Sequence, residues 1–195
     1  VSKDQEEKQA AAYWHLLDEI DAAPAQHGLT DLSNVKLFMQ QAVQIDSRYA
    51  SAANTGLRDD EDFMAAACMK MGSNLAHASA RLSNSLSLCE IACIHTQCIG
   101  NIFDHPLKHA SMVRRSDKQF VQKVVERCGL AVEFASEALR NDLSVMRTCF
   151  ESTYGGSALR YASPRLRDNA FCVAGAVRKT GAALRFASPR LRGHM

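Results

Sequence analysis

The side chains with the clearest chemical potential lie in one stretch, where three cysteines and three histidines fall within 21 residues. They are Cys89, Cys93, His95, Cys98, His105 and His109. Structural zinc is bound by four Cys or His ligands in tetrahedral geometry, so this spacing raises the hypothesis of a zinc site. The competing interpretation is structural, because most of the seven cysteines recur at apolar helix positions, where Cys is a small buried hydrophobe. We favour it and expect no metal and no cofactor.

A serine recurs along the chain and raises the hypothesis of nucleophilic catalysis. The recurrent serines are Ser79, Ser111, Ser136, Ser163 and Ser188. An activated serine needs a base within hydrogen-bonding distance, and no His or acidic residue recurs with these serines. The sequence also has no GxGxxG, P-loop, HExxH or GxSxG motif. We therefore expect a structural role for the serines, as helix caps or in a bond to the backbone, and a protein that is not an enzyme.

Basic residues concentrate in the C-terminal half. Residues 1–98 carry 7 Lys/Arg and 13 Asp/Glu, a net charge of −6. Residues 99–195 carry 16 Lys/Arg and 8 Asp/Glu, a net charge of +8. The basic side chains that could form a binding ridge are Arg140, Arg147, Arg160, Arg165, Arg178, Lys179, Arg185 and Arg190. Such a ridge could contact an acidic protein or nucleic-acid phosphates, and opposite charges in the two halves could drive head-to-tail self-association. The structural alternative is a solvated face.

These residues are positioned by an internal repeat. The segment from Ala158 to Arg167 (ALRYASPRLR) recurs 25 residues later as ALRFASPRLR, from Ala183 to Arg192. A second pattern precedes each copy, in which two apolar residues are followed four positions later by two more, as at Phe63, Met64, Ala67 and Cys68. This spacing forms one apolar stripe on an α-helix. Tyr161 and Phe186 adjoin the buried alanines of the repeat, which favours core packing over stacking on bases.

Local signals fix where the predicted helices begin and end. A residue that accepts hydrogen bonds well stands three positions before each stripe, at Asp60, Ser85, Asp117, Asp142 and Asn169. A glycine lies nine residues after the first stripe residue at Gly72, Gly129 and Gly181. Each of these glycines predicts a left-handed C-terminal cap. The segment Ala-Leu-x-Tyr/Phe-Ala-Ser predicts a shorter second helix in each unit, so that each unit is a helical hairpin. Ser-Pro at 163–164 and 188–189 predicts that this second helix breaks or kinks at its serine, with proline opening a new turn.

One such hairpin cannot bury its own stripe, so the repeat predicts an all-α fold, an α-solenoid of about seven stacked helical hairpins with a period near 25 residues. We expect a single domain, 1–195, with units starting near residues 10, 35, 60, 85, 117, 142 and 169. An insertion at about 95–105 lengthens one unit. Since insertions in solenoids form loops, often on the binding face, His95, Cys98 and His105 join the basic ridge as candidate partner-binding residues.

The unit from Asn141 to Arg167 resembles a bacterial repeat family named domain of unknown function 4116. The resemblance is strongest over 117–192, weaker over 59–115 and poor before residue 59. It implies no catalytic residue. Because such repeats occur in host-associated bacteria, it implies a protein-binding role, including that of an effector or inhibitor.

We therefore expect a non-enzymatic protein-binding module, with nucleic-acid binding by the basic ridge as the alternative. The longest apolar run, from Met64 to Met69, is too short to span a membrane, and the first residues show no signal-peptide pattern. We expect a cytoplasmic location, in the bacterium or, for a secreted effector, in the host cytosol.

Overall fold

The computed structural model describes residues 32–95, 105–152 and 155–193. These residues form α-helices, 3-10 helices and one π-helical turn, with no β-strand among them. The predicted all-α class is confirmed. The unit predicted to start near residue 10 and residues 96–104 of the predicted insertion lie outside the described residues.

The α-helices alternate between long helices and single turns. In chain order they are α1 (Leu32–Ile45), α2 (Thr55–Arg58), α3 (Glu61–Lys70), α4 (Leu86–Glu90), α5 (Met112–Ser116), α6 (Lys118–Arg127), α7 (Glu137–Arg140), α8 (Leu143–Glu151), α9 (Pro164–Arg167), α10 (Ala170–Lys179) and α11 (Pro189–Arg192). Helix α4 continues directly into the π-helical turn Ile91–His95.

In most repeat units, here called segments, a 3-10 helix connects the long α-helix to a single α-helical turn. These helices are Ser47–Ala52, Gly72–His77, Leu82–Asn84, Pro106–His109, Gly129–Phe134, Gly155–Tyr161 and Gly181–Phe186. The recurring order is therefore a long α-helix, a 3-10 helix and one α-helical turn. In one segment the 3-10 helix Leu82–Asn84 takes the place of that turn.

The predicted N-caps of the long helices are confirmed. Asp60 Oδ1 accepts a hydrogen bond from the backbone N–H of Phe63 at 2.9 Å, and Asn169 Oδ1 accepts one from Cys172 at 3.0 Å. The side chains of Ser85, Asp117 and Asp142 cap α4, α6 and α8 in the same way. Each cap satisfies a backbone donor that has no partner within the helix, which fixes where the apolar stripe begins.

The predicted left-handed glycine caps are wrong. The residues that follow α3 and α10, Met71 and Thr180, have extended backbones, and Cys128, which follows α6, has φ −134° and ψ 89°. The following glycine instead opens the 3-10 helix. At Gly129 the reason is close approach, since an added Cβ would collide with the carbonyl oxygen of Cys149 and the hydroxyl of Ser152.

The recurrent serines are structural, as the sequence indicates. The backbone N–H of Ser163 donates to the carbonyl of Arg140 at 3.1 Å, and that of Ser188 donates to Arg167 at 2.9 Å. The same bond from each segment to the one before is made by Ser79, Ser111 and Ser136. Ser163 and Ser188 also cap α9 and α11, each of which has proline in its first turn. The predicted break before each Ser-Pro is confirmed.

The stripe residues of the long helices form one continuous core together with buried residues of the 3-10 helices and single turns. Helix α6 packs on α8, and α8 packs on α10, while the 3-10 helix Gly155–Tyr161 contacts its neighbours on both sides. The stripe residues of α8 are all buried; they are Val145, Met146, Cys149 and Phe150. Successive long helices therefore lie side by side, and their outward-facing residues form the walls of surface grooves.

Candidate functional site

Two surface grooves lie between successive long helices and are built from equivalent positions. The first lies between α6 and α8 and has a volume of about 500 Å³; the second lies between α8 and α10 and has a volume of about 560 Å³. Gln122 and Glu126 of the first groove correspond to Arg147 and Glu151 of the second, 25 residues later. We call the first the polar groove and the second the C-terminal groove.

The C-terminal groove has two apolar walls. Helix α8 contributes Leu143, Arg147, Phe150 and Glu151, and helix α10 contributes Phe171, Ala174, Gly175 and Arg178. Phe171 is 88% exposed, the most exposed of the large apolar side chains in the described residues. An aromatic ring left in water next to further apolar residues is characteristic of an interaction site.

Phe171 is not required by the repeat. It stands between the cap of α10 and the buried stripe, at a position occupied by Leu37, Asp62, Ser87, Gln119 and Ser144 in the earlier segments that the structure describes. All five are exposed, and all but Leu37 are polar. Four segments are therefore built at this position without an apolar side chain, and the phenyl ring has no packing role that the repeat demands.

The floor of the C-terminal groove is kept open by glycine. An added Cβ at Gly175 would lie 3.4 Å from Phe150 Cδ2 and 3.9 Å from Phe150 Cε2. The ring of Phe150 is buried and approaches the backbone of α10 at this point. Thr148 holds the equivalent position in the polar groove.

The polar groove is formed by the same arrangement of helices but is lined by different side chains. It is lined by Gln122, Glu126, Ser144, Arg147, Thr148 and Glu151. Two carboxylates and one guanidinium give these side chains a net charge of −1, whereas Arg147, Arg178 and Glu151 give the C-terminal groove +1. Neither an aromatic nor a long aliphatic side chain lines the polar groove.

Residues 117–167 match the model of a family described as Domain of unknown function (DUF4116). The match supports the family resemblance over the segment from the cap of α6 to the end of α9, 51 of the 195 residues. No curated protein and no solved structure matches the chain at a significant level. The matched segment holds the whole polar groove, while Phe171, Gly175 and Arg178 lie beyond it.

The basic residues that were predicted to form one ridge lie on long helices, on 3-10 helices and on single helical turns. Arg147 and Arg178 belong to the long helices and line the C-terminal groove. Lys179 Nζ donates to the backbone carbonyl of Glu151 at 2.9 Å, which ties the end of α10 to the end of α8. Arg140 is half-buried in the last turn of α7.

Arg165 and Arg190 make bonds between segments. Arg165 Nε donates to Asn141 Oδ1 at 2.9 Å, and its Nη2 donates to the Asn141 carbonyl at 2.8 Å. Arg190 makes the same pair of bonds to Asp168, at 3.0 and 2.9 Å. Both guanidinium groups thus stabilise the contact with the preceding segment, and fewer of their donors remain for a partner.

Arg160 and Arg185 hold equivalent positions at the ends of 3-10 helices. The Arg160 guanidinium lies 4.7 Å from the ring centroid of Tyr161, and that of Arg185 lies 4.6 Å from the ring of Phe186. Both rings are half-buried against the core, as the sequence predicts. Burial and a hydrogen bond with Glu133 raise the pKa of Tyr161 to about 12. Each ring therefore has one neighbouring cation and limited free surface.

Residues of the predicted insertion have a structural role where they are described. His105 is 2% exposed, and its Nδ1 accepts a hydrogen bond from the backbone N–H of Leu107 at 3.1 Å. Burial lowers the pKa of His105 to about 4, so the ring is neutral at pH 7. A side chain so deeply buried offers no surface to a partner. Cys98 and the side chain of His95 lie outside the described residues.

The other cysteines occupy the core. Cys68, Cys89, Cys93, Cys149 and Cys172 are buried, and Cys128 is half-buried. Burial raises the pKa of the Cys68 thiol to about 12 and that of Cys172 to about 11. The protonated thiol is a weak nucleophile and a weak metal ligand. Across the described ranges, no three Cys, His, Asp or Glu side chains converge as metal ligands, and no helix there is long and apolar enough to cross a membrane.

Proposed function

We propose that the chain is a helical-repeat solenoid of about seven hairpins that binds a partner protein through the C-terminal groove. Support for the solenoid comes from long helices that pack on the next long helix and from serine-to-carbonyl bonds that join successive segments. Repeats of this kind present an extended surface on which side chains that the core does not need are free to vary.

The observation that carries the proposal is the exposure of Phe171 in a groove that Arg147 and Arg178 also line. Burial of a phenylalanine side chain on association stabilises a complex by roughly 1.5–3 kcal/mol. Arg147 and Arg178 add cations on the two walls of the same groove. Aromatic residues and arginine are the side chains most enriched among those that dominate binding energy at protein interfaces.

Nucleic-acid binding has less support from the basic side chains. A protein that tracks phosphates needs several available cations along one path. Arg165 and Arg190 are engaged with Asn141 and Asp168, and the rings of Tyr161 and Phe186 are half-buried. Nucleic acid is therefore the alternative outcome of the test rather than a second proposal.

The test is affinity capture with charge reversal. Arg147→Glu with Arg178→Glu reverses the groove, while Lys70→Glu with Arg127→Glu makes the same change in net charge at exposed positions outside both grooves. Circular dichroism first establishes that both variants remain helical. We expect one protein to be captured by the wild type and by the control, and to bind the purified groove variant at least ~10-fold more weakly.

Two results would contradict the proposal. One is a partner that binds both variants as well as it binds the wild type. The other is capture of nucleic acid alone, removed by raised salt, because affinity for phosphates falls steeply with salt concentration.

A further inference from the structure

We infer that the C-terminal groove takes an acidic segment of its partner protein, in which an aromatic or aliphatic side chain lies between carboxylates. The inference rests on the proposed function and names the chemistry that this groove recognises. It follows from three features of the groove: its apolar walls, its volume and the placement of its cations.

The apolar walls call for an apolar anchor. Phe171 on α10 faces the same groove as Leu143 and Phe150 on α8. Leu143 is 38% exposed, so both helices leave apolar surface in water. A side chain inserted between them removes apolar surface from water on both walls at once, which a polar side chain cannot do.

The volume of the groove suits side chains rather than a flat surface. About 560 Å³ falls within the range of concave sites that enclose small ligands. The open floor at Gly175 lets an inserted group approach the α10 backbone. A protruding segment of a partner therefore fits better than a planar face.

The cations select carboxylates beside the anchor. Arg147 and Arg178 are both exposed, and they lie on opposite walls of the groove. The nearest acid, Glu151, has its Oε1 3.8 Å from Arg178 Nη2, with both side chains more than 70% exposed. An ion pair so exposed contributes little stability, so an incoming carboxylate can compete for the guanidinium. Planar guanidinium groups bind carboxylates through two parallel hydrogen bonds.

The experiment is selection from a random-peptide phage library on the immobilised full chain. Phe171→Ser replaces the exposed ring with the residue found at the equivalent position 144, and because Phe171 is 88% exposed the substitution leaves the core intact. Met69→Ser is the matched control, since Met69 is 64% exposed on α3 and lies outside both grooves. Selected peptides are then synthesised, and their affinity is measured by fluorescence anisotropy.

We expect enriched peptides to place Phe, Trp, Leu or Ile between Asp or Glu residues. Phe171→Ser should weaken the best peptide by about 30-fold, the effect of losing a central anchor, and Met69→Ser should leave it unchanged. Replacing the acids of the peptide with their amides should weaken binding to the wild type but not to the Arg147→Glu, Arg178→Glu variant.

Failure of the inference is distinguishable from failure of the proposed function. Basic or neutral consensus peptides, no enrichment, or equal binding by Phe171→Ser would overturn the acidic-anchor inference. A dimer that Phe171→Ser dissociates would also overturn it, because the occupant would then be a second copy of the chain. In each case, loss of the captured partner on Arg178→Glu alone would still support protein binding by this groove, because Arg178 lines the C-terminal groove and not the polar groove.

Discussion

The polar groove and the C-terminal groove share one helix, α8, and the same arrangement of neighbouring helices. They differ at five of the six equivalent lining positions, where Gln122, Ser144, Arg147, Thr148 and Glu151 are replaced by Arg147, Phe171, Ala174, Gly175 and Arg178. None of these changes is needed for the core, because the buried stripe is present on both sides. The repeat therefore fixes the shape of the groove, while the exposed residues set its chemistry.

The largest expected effect comes from exchanging the residues at positions 144 and 171. Phe171→Ser combined with Ser144→Phe keeps the composition and net charge of the chain and moves the ring to the polar groove. We expect affinity for the selected acidic peptide to fall about 30-fold, since the ring now lies in the groove that holds Glu126 and Glu151. Fluorescence anisotropy measures the change. Full affinity in the exchanged variant would mean that the position of the ring does not matter.

Filling the floor of the C-terminal groove should stabilise the protein. Gly175→Ala removes a flexible residue from the interior of α10, and the new Cβ meets only the edge of the Phe150 ring. We expect the free energy of unfolding to rise by about 0.5–1 kcal/mol, measured by urea denaturation, while peptide affinity falls. A loss of stability would show that Phe150 cannot adjust, and an unchanged affinity would show that the floor is not used.

Removing the carboxylate shared by the two grooves has a smaller effect. Glu151→Gln should strengthen binding of the acidic peptide by about threefold, because the competing partner of Arg178 is lost. Titration of both proteins with the same peptide measures this ratio. Glu137→Gln, at an exposed position on α7, is the control. Weaker binding after Glu151→Gln would contradict the assigned role of Arg178.

The smallest expected effect concerns acid stability. Lys118 Nζ lies 2.7 Å from Asp142 Oδ2 between α6 and α8, whereas Leu143 and Asn169 hold the equivalent positions between α8 and α10. The hydrogen bond from Lys118, assisted by Ser144, holds the pKa of Asp142 well below its usual range. Stability from this pair is therefore present above about pH 4, the pKa of an unfolded Asp, and is lost as pH falls through the lower folded value.

Asp142→Asn tests this difference, because Asn169 shows that asparagine caps the equivalent helix. The free energy of unfolding of the variant should be about 0.5 kcal/mol lower than that of the wild type at neutral pH. This difference between the two proteins should become smaller below about pH 4. Urea denaturation at several pH values measures it. A gap that does not depend on pH would exclude the ion pair as its source.

The all-α class and the starts of the long helices could be predicted from the sequence because their determinants are local. Asp60 and Asn169 mark helix starts through bonds that span three residues, and Ser163-Pro164 marks a break in the same way. The predicted glycine cap at Gly129 was wrong because this glycine makes a close contact with the next segment, at Cys149 and Ser152, which no local pattern contains.

The candidate site was harder to predict. The bonds of Arg165 to Asn141 and of Arg190 to Asp168 join residues more than 20 positions apart. Because such long-range bonds are not visible in the sequence, the sequence predicted that these arginines bind a partner. Phe171 had a signal that was missed. It is an aromatic residue at a repeat position that is polar in the four preceding segments, and an alignment of the repeat units shows the difference.

We propose that the C-terminal groove, and not the polar groove, binds the partner segment. Nuclear magnetic resonance shift mapping on the ¹⁵N-labelled chain, with the selected acidic peptide as ligand, distinguishes the two grooves. We expect the amide signals of Phe171, Gly175 and Arg178 to shift on titration and those of Gln122 and Glu126 to stay unchanged. Shifts centred on the polar groove, or on Arg160 and Arg185, would contradict it.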